Sequence, residues 1–541
     1  MTKWQSKEGL QQLTVSLAEL ESITGSKQEI EIMDYVEEEL RILPYFQKNK
    51  SLLQTHETED GRKIVTALVK SKRHTRKTVV LMGHIDVVDV EDYGEYKEWA
   101  FRPLQLTEKL YAQKRELPER VQFDLENEEW LFGRGTMDMK AGIAICMSMI
   151  EWATLSHFEG NILFLAVPDE EVNSVGMRAA TPVLLQLAEK YDLRYELIWN
   201  TEPMFESYPG DNQLYIYQGS VGKMLPGFYC YGKEAHVGEP FAGLNGNFMT
   251  SVLTQVMELN PGLSEQVGDE RTPPPSNLSQ KDLKDGYSVQ IPHAAISIYN
   301  LLTMEKSTTE VTKDLLKHAK IAADKIVKRY KEREEKYTNN NEYKPRERKI
   351  RVLTYEDLVK HAKEKVGHEE IEKRIIAIKL REPKWDDREL TYFIVHEIAT
   401  ISKELAPMIV LFYAPPYYPH VSSASNTTVK NISAHIIEVA KSDYDLDIKT
   451  VQFFPGLSDL SYTSLQGKIS DISSLTKNMP LWEVTYDLPL EDMRKLNCPV
   501  INFGPIGKDP HSWTERLNIT FTFEKLPQIM KKSIQHLFQS L

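Results

Sequence analysis

Six apolar residues, Ile162-Leu-Phe-Leu-Ala-Val167, run without interruption into Pro168-Asp169-Glu170-Glu171. A buried strand that stops at three consecutive acids limits what the chain can fold into. Isolated carboxylates are costly to take out of water unless something positive accompanies them, and a metal ion is the simplest such companion. The stretch suggests a division of labour: Glu171 binds metal while Glu170 handles a proton.

The neighbouring segments repeat the pattern. Thr78-Val-Val-Leu-Met82 is a short apolar strand running into Gly83-His84-Ile85-Asp86, and Leu197-Ile-Trp199 runs into Asn200-Thr201-Glu202-Pro203. Between them, Gly133-Arg-Gly-Thr-Met-Asp138-Met-Lys-Ala-Gly142 precedes an apolar helix from about 143 to 154, and a further helix covers about 176–190. Two amphipathic helices fill the first forty residues, and the polar, aromatic stretch 91–130 reads as a long loop. Strand alternating with helix indicates an α/β fold with a mostly parallel sheet flanked by helices. Such sheets place ligands outside the C-terminal ends of their strands, where these acids and His84 stand.

From about residue 218 to 421 the character changes to α+β. Strands are expected within 214–231, 287–303 and 408–413, and helices over 309–336 and 386–405. The highly charged 309–336 helix ends at Thr338-Asn-Asn-Asn341, and a helix–strand unit is expected at 354–382. The α/β pattern returns with a helix from 428 to 440, the loop Gly456-Leu-Ser-Asp459, a strand at 500–503, His511, and a last helix over 523–539. The expected organisation is a catalytic domain in two pieces, 1–217 and 422–541, interrupted by an inserted domain at 218–421.

Length and charge narrow the function classes. A chain of 541 residues exceeds one ordinary core. A net charge of -13 argues against a broad nucleic-acid surface. No apolar run approaches the roughly 20 residues that span a bilayer, and the N-terminus lacks the apolar core of a secretion signal. Cys146, Cys230 and Cys498 are odd in number and far apart, so free thiols and a cytoplasmic location are expected.

The polar residues at strand ends are His84, Asp86, Asp138, Glu170, Glu171, Glu202 and, later, His511. Taken singly, each has an ordinary reading as a hydrogen-bonded loop residue. Together they form a set that independent loops would not be expected to deliver to one sheet edge. No thiolate is among them, and imidazole with carboxylate suits zinc, with manganese or cobalt as alternatives. The set exceeds what one tetrahedral ion with an open position needs. Two divalent ions sharing a carboxylate, roughly 3.5–4 Å apart, use it naturally.

Gly83-His84-Ile-Asp86-Val-Val88, Trp99-Ala-Phe101-Arg-Pro103, the 133–142 segment, Pro168–Glu171, Thr201-Glu202-Pro203, Gly232-Lys-Glu-Ala-His236-Val-Gly-Glu-Pro240 and Gly243-Leu-Asn245-Gly246 carry a resemblance. The stretches Gly456–Asp459 and Gly504–Glu515 match more loosely. The chain resembles the co-catalytic zinc metallopeptidase family of aminoacylases, carboxypeptidase G and succinyl-diaminopimelate desuccinylase. Within it, the chain most resembles the arginine-utilisation protein RocB branch, which is distinguished by a long insert.

The resemblance implies a fold and a set of roles. His84 and Glu202 hold one zinc, Glu171 and His511 the other, and Asp138 bridges them. Asp86 orients the His84 imidazole. Glu170 is the general base acting on a metal-activated water. His236, on the inserted lid, stabilises the oxyanion, and Asn245 assists substrate or lid positioning. Family members commonly carry an arginine in a lid strand after a motif like Val289-Gln-Ile-Pro292. That strand here runs Ala295-Ile-Ser-Ile-Tyr299-Asn300, so Asn300 stands as an uncharged substrate contact. The enlarged lid favours a monomer over a lid-mediated homodimer. The expected function is hydrolysis of an amide or peptide bond in a small N-acyl amino acid or dipeptide, with arginine catabolism suggested by the branch. A non-catalytic relative that binds a metabolite or protein, and a hydrolase of non-peptide C–N bonds, are the alternatives.

Overall fold

The computed structural model describes residues 2–540 except 157, 205, 207, 209, 285, 339–347 and 382–384. The chain divides into two compact units. One comprises 1–221, 421–466 and 489–541, the other 222–420 and 467–488.

The first unit is built on an eight-stranded sheet. In chain order its strands are β1 (Leu53–Glu57), β2 (Lys63–Val69), β3 (Lys77–His84), β4 (Asn161–Val167), β5 (Arg194–Asn200), β6 (Leu214–Tyr217), β7 (Ile448–Val451) and β8 (Val500–Asn502). They lie side by side as β1-β2-β4-β3-β5-β8-β6-β7. The middle, β4-β3-β5-β8, is parallel, while β1-β2, β2-β4 and β8-β6 pair antiparallel, so the sheet is mixed. Every residue of β4 is buried, as an interior strand covered on both faces requires. The helix Ala141–Leu155 is buried almost all round. Its first turn lies close enough to the end of β5 that a Cβ on Gly142 would stand 2.5 Å from the Thr201 carbonyl oxygen.

The stretch 91–130 is not a loop. It holds the helices Pro103–Ala112 and Glu119–Asn127. Leu106, Leu110, Leu117, Val121 and Leu125 close a small core of their own with Trp130 and Phe132. Their four-residue spacing is helical, but charged neighbours dilute it.

The second unit has a five-stranded sheet ordered Ser276–Asp282, Ala294–Thr303, Gly222–Tyr231, Met408–Tyr418, Arg351–Thr354. The charged helix spans Thr308–Thr338 and buries a stripe that includes Val311, Leu315, Ala319, Ala322, Ile326 and Tyr330. The expected break at Asn339–Asn341 lies outside the described residues. In place of a helix–strand unit at 354–382, a strand leads into two helices, Tyr355–Val366 and His368–Arg381. Residues 467–488, assigned by sequence to the last catalytic piece, pack instead with the second unit. Thr308 Oγ1 donates to the Asp471 carbonyl at 2.8 Å, and the Tyr413 amide to the Asn478 carbonyl at 2.8 Å. Among the described residues, no helix is long and apolar enough to cross a membrane.

Candidate active site

Strand register brings the acids together. His84 at the end of β3 pairs with Val167 of β4, and Met82 pairs with Asn200 of β5. Glu170, Glu171 and Glu202 therefore begin from level strand ends. His84 Nε2 lies 3.3 Å from Asp138 Oδ1, 3.4 Å from Glu202 Oε1 and 3.9 Å from Glu170 Oε2. His511 Nε2 lies 3.1 Å from Glu171 Oε1 and 3.4 Å from Asp138 Oδ2. The two oxygens of Asp138 thus face different imidazoles. Ligand atoms of His84, Asp138 and Glu171 all fall within 4.8 Å of one another.

The electrostatics match a site made for cations. Burial, reinforced by neighbouring carboxylates, pushes the Glu170 and Glu202 carboxyls well above their ordinary range despite the opposing pull of His84. Burial opposes ionisation of Asp138 too, but hydrogen bonds from His511 and His84 hold it below its ordinary range. Against the same burial, Asp138 and Glu171 drive the His511 imidazole up to about 11. Acids outnumber imidazoles here, and buried like charges disfavour their own ionisation. Divalent cations would resolve the crowding. The donor set of imidazole nitrogens and carboxylate oxygens, with no thiolate, fits zinc, manganese or cobalt.

The turn that carries Glu170 and Glu171 is fixed by a second group of acids. The amide of Asp169 donates to Glu29 Oε1 at 3.1 Å, that of Glu170 to Asp86 Oδ1 at 3.1 Å, and that of Glu171 to Asp86 Oδ2 at 3.2 Å. Arg62 reaches Asp169 at 2.7 Å and Glu29 at 3.1 Å, partly offsetting this charge. Asp86 also faces His84. The His84 Nδ1 lies 3.0 Å from the Asp86 carbonyl oxygen and 3.5 Å from its carboxylate, so main chain and side chain both face the imidazole while the carboxylate also holds the turn. Asp459, quoted in the sequence without a role, is buried, and burial pushes its carboxyl up to about 7. Nothing local in the sequence marks Glu29 or Arg62 as supports, whereas Arg134 lies within the 133–142 segment and Glu515 four residues beyond His511.

His236, Asn245 and Asn300 belong to the second unit. His236 is exposed, its Nδ1 accepting the Gly238 amide at 3.1 Å. Asn245 caps the helix Gly246–Met257, its side-chain Oδ1 accepting the Asn247 amide at 2.8 Å. Asn300 is half-buried on the strand Ala294–Thr303.

A mixed sheet with acids and imidazoles at its strand ends, in a chain that also carries a second α+β unit, is the plan of a metallopeptidase. The chain belongs to Peptidase family M20/M25/M40, which it matches over residues 80–471, and it is a hydrolase of that family. It is 46% identical over 536 residues to Uncharacterized protein YqjN of Bacillus subtilis (strain 168), covering 99% of this chain and 97% of that one. It is 34% identical over 494 residues to Protein RocB of the same organism, covering 88% and 85%. Among solved structures, the di-peptidase Dug1p of Saccharomyces cerevisiae shares the fold, with a TM-score of 0.55 at 12% identity, covering 98% of this chain and 96% of that one.

Proposed function

We propose that the chain is a two-metal hydrolase that cleaves an amide or peptide bond in a small substrate. The observation that carries this reading is Asp138, with Oδ1 3.3 Å from one imidazole and Oδ2 3.4 Å from the other. His84 and Glu202 would hold one divalent ion, Glu171 and His511 the second, and Asp138 would serve both. The ions would supply Lewis acidity, polarising the scissile carbonyl and lowering the pKa of water. Zinc is the first candidate on donor chemistry, with manganese and cobalt behind it.

Glu170 is the general base. Its buried carboxylate, 3.9 Å from His84 Nε2, would take a proton from the attacking water and return it to the leaving nitrogen. Asp86 fixes the turn beneath it and faces the back of His84. His236 accepts the Gly238 amide through Nδ1, so its proton sits on Nε2, a donor suited to an oxyanion. Asn245 shapes the loop that leads into its helix, and Asn300 offers an uncharged contact where relatives commonly have arginine.

In this reading 1–221, 421–466 and 489–541 form the catalytic domain and 222–420 with 467–488 a lid, in a cytoplasmic monomer. The similarity to RocB supports an arginine-related N-acyl amino acid or dipeptide as substrate. The test is a panel of N-acyl amino acids and dipeptides, arginine derivatives included, run with metal analysis on the purified protein and on Glu170→Ala. Hydrolysis that disappears in the variant while metal content persists is expected. Two bound metals with no hydrolysis across the panel would contradict the proposal.

A further inference from the structure

We infer that Glu515, backed by Arg134, is a positioning residue that sets the His511 half of the metal site; this rests on the two-metal reading above. Both side chains are buried, at 0% and 1% exposure. Glu515 Oε2 accepts from Arg134 Nη1 at 2.7 Å, and its Oε1 faces the amides of Met137 at 3.3 Å and Asp138 at 3.5 Å. Its main-chain carbonyl accepts the Gly133 amide at 3.2 Å, while its own amide donates to the Ser512 carbonyl at 2.8 Å. Arg134 is held in turn by Asp92 Oδ1 at 2.8 Å and the Asp89 carbonyl at 3.2 Å.

One residue therefore grips both ends of the 133–138 segment and belongs to the same short turn as His511. His511 has φ 57°, a left-handed backbone that a non-glycine residue keeps only when its surroundings dictate it. Asp138 and His511 reach each other from segments more than three hundred residues apart; the strands Trp130–Phe132 and Arg516–Asn518 pair beside them, and Glu515 adds side-chain contacts to the Asp138 segment itself. The other half is built differently. His84 and Glu202 extend from adjacent parallel strands, and Asp86 backs His84. Loss of the Glu515 contacts should thus fall unequally on the two ions.

The test is a buffered zinc titration of metal-free wild type, Glu515→Gln and Arg134→Lys, with a thermal melt of each metal-free protein. Glu515→Gln keeps the size of the side chain but sets an amide against the Arg134 guanidinium. Wild type is expected to take two equivalents. In Glu515→Gln the first should bind within about threefold of wild type and the second ~10–100-fold more weakly, the usual effect of removing a ligand's support. Arg134→Lys should fall between, and it carries the test if Glu515→Gln does not fold. Unchanged affinities, or equal loss of both equivalents alongside a lower metal-free melting temperature, would overturn the inference and leave an ordinary buried ion pair. A wild type that binds fewer than two equivalents refutes the two-metal reading itself, and this proposal with it.

Discussion

The turn Pro168–Glu171 and the loop around His236 both carry residues assigned to chemistry, yet they are held in opposite ways. In the first, three successive amides donate to buried carboxylates, and Arg62 joins Glu29 to Asp169. In the second, the main chain does the holding, through isolated bridges between Lys233 and Leu244 and between His236 and Gln290. Val237, Tyr287 and Val289 stay exposed beside it. Metal ligands and a proton carrier need geometry fixed by an interior, because small displacements of buried charge are expensive. A donor to a transient oxyanion needs only a settled tautomer and access. Loss of the carboxylates that hold the turn should therefore reach metal binding and stability, whereas loss of the His236 imidazole should reach turnover alone.

The largest expected effect sharpens the distinction within the turn. Glu170→Gln should lower kcat by ~10²–10⁴, the usual range for a general base, with metal content by elemental analysis unchanged. Loss of metal in this variant would make Glu170 a ligand. His236→Ala should lower kcat by ~10²–10³ as an oxyanion donor. Its melting temperature should stay near wild type, as for most surface substitutions; a large drop would erase the contrast between the regions. Asp86→Ala removes the acceptor for two amides and the partner of Thr24 Oγ1 at 2.9 Å. It should weaken zinc binding ~10–100-fold and lower the melting temperature even without metal. The smallest effect is expected from Asn245→Ala, which removes a helix cap worth about 1 kcal/mol; denaturant unfolding would measure it. If KM rose many-fold at unchanged stability, Asn245 would instead be a direct substrate contact.

The residues that sequence made legible stand where a short apolar run meets polar groups. β3, β4 and β5 announce their ends, and register did the rest, since parallel neighbours finish level. The supports were hidden for the complementary reason. Glu29 sits on an amphipathic helix 140 residues from the amide it accepts, and Glu515 is 378 residues from the Met137 amide. Nothing local marks an acid as buried when its partners are main-chain groups from distant segments. The same limit explains residues 467–488, whose contacts with Thr308 and Tyr413 are long-range. It also explains the helices in 91–130, where apolar residues at four-residue spacing are thinned by charge. Asp86 was legible as a residue beside an imidazole, but its hold on the Glu170–Glu171 backbone appears only once the turn is folded.

The central claim is that Asp138 serves two ions, one on each side. Crystals grown with zinc and measured at the zinc absorption edge test it directly. The account predicts two anomalous peaks roughly 3.5–4 Å apart, one between His84 and Glu202 and one between Glu171 and His511, with an oxygen of Asp138 at each. A single peak, or a pair that leaves Asp138 unbound, would contradict it.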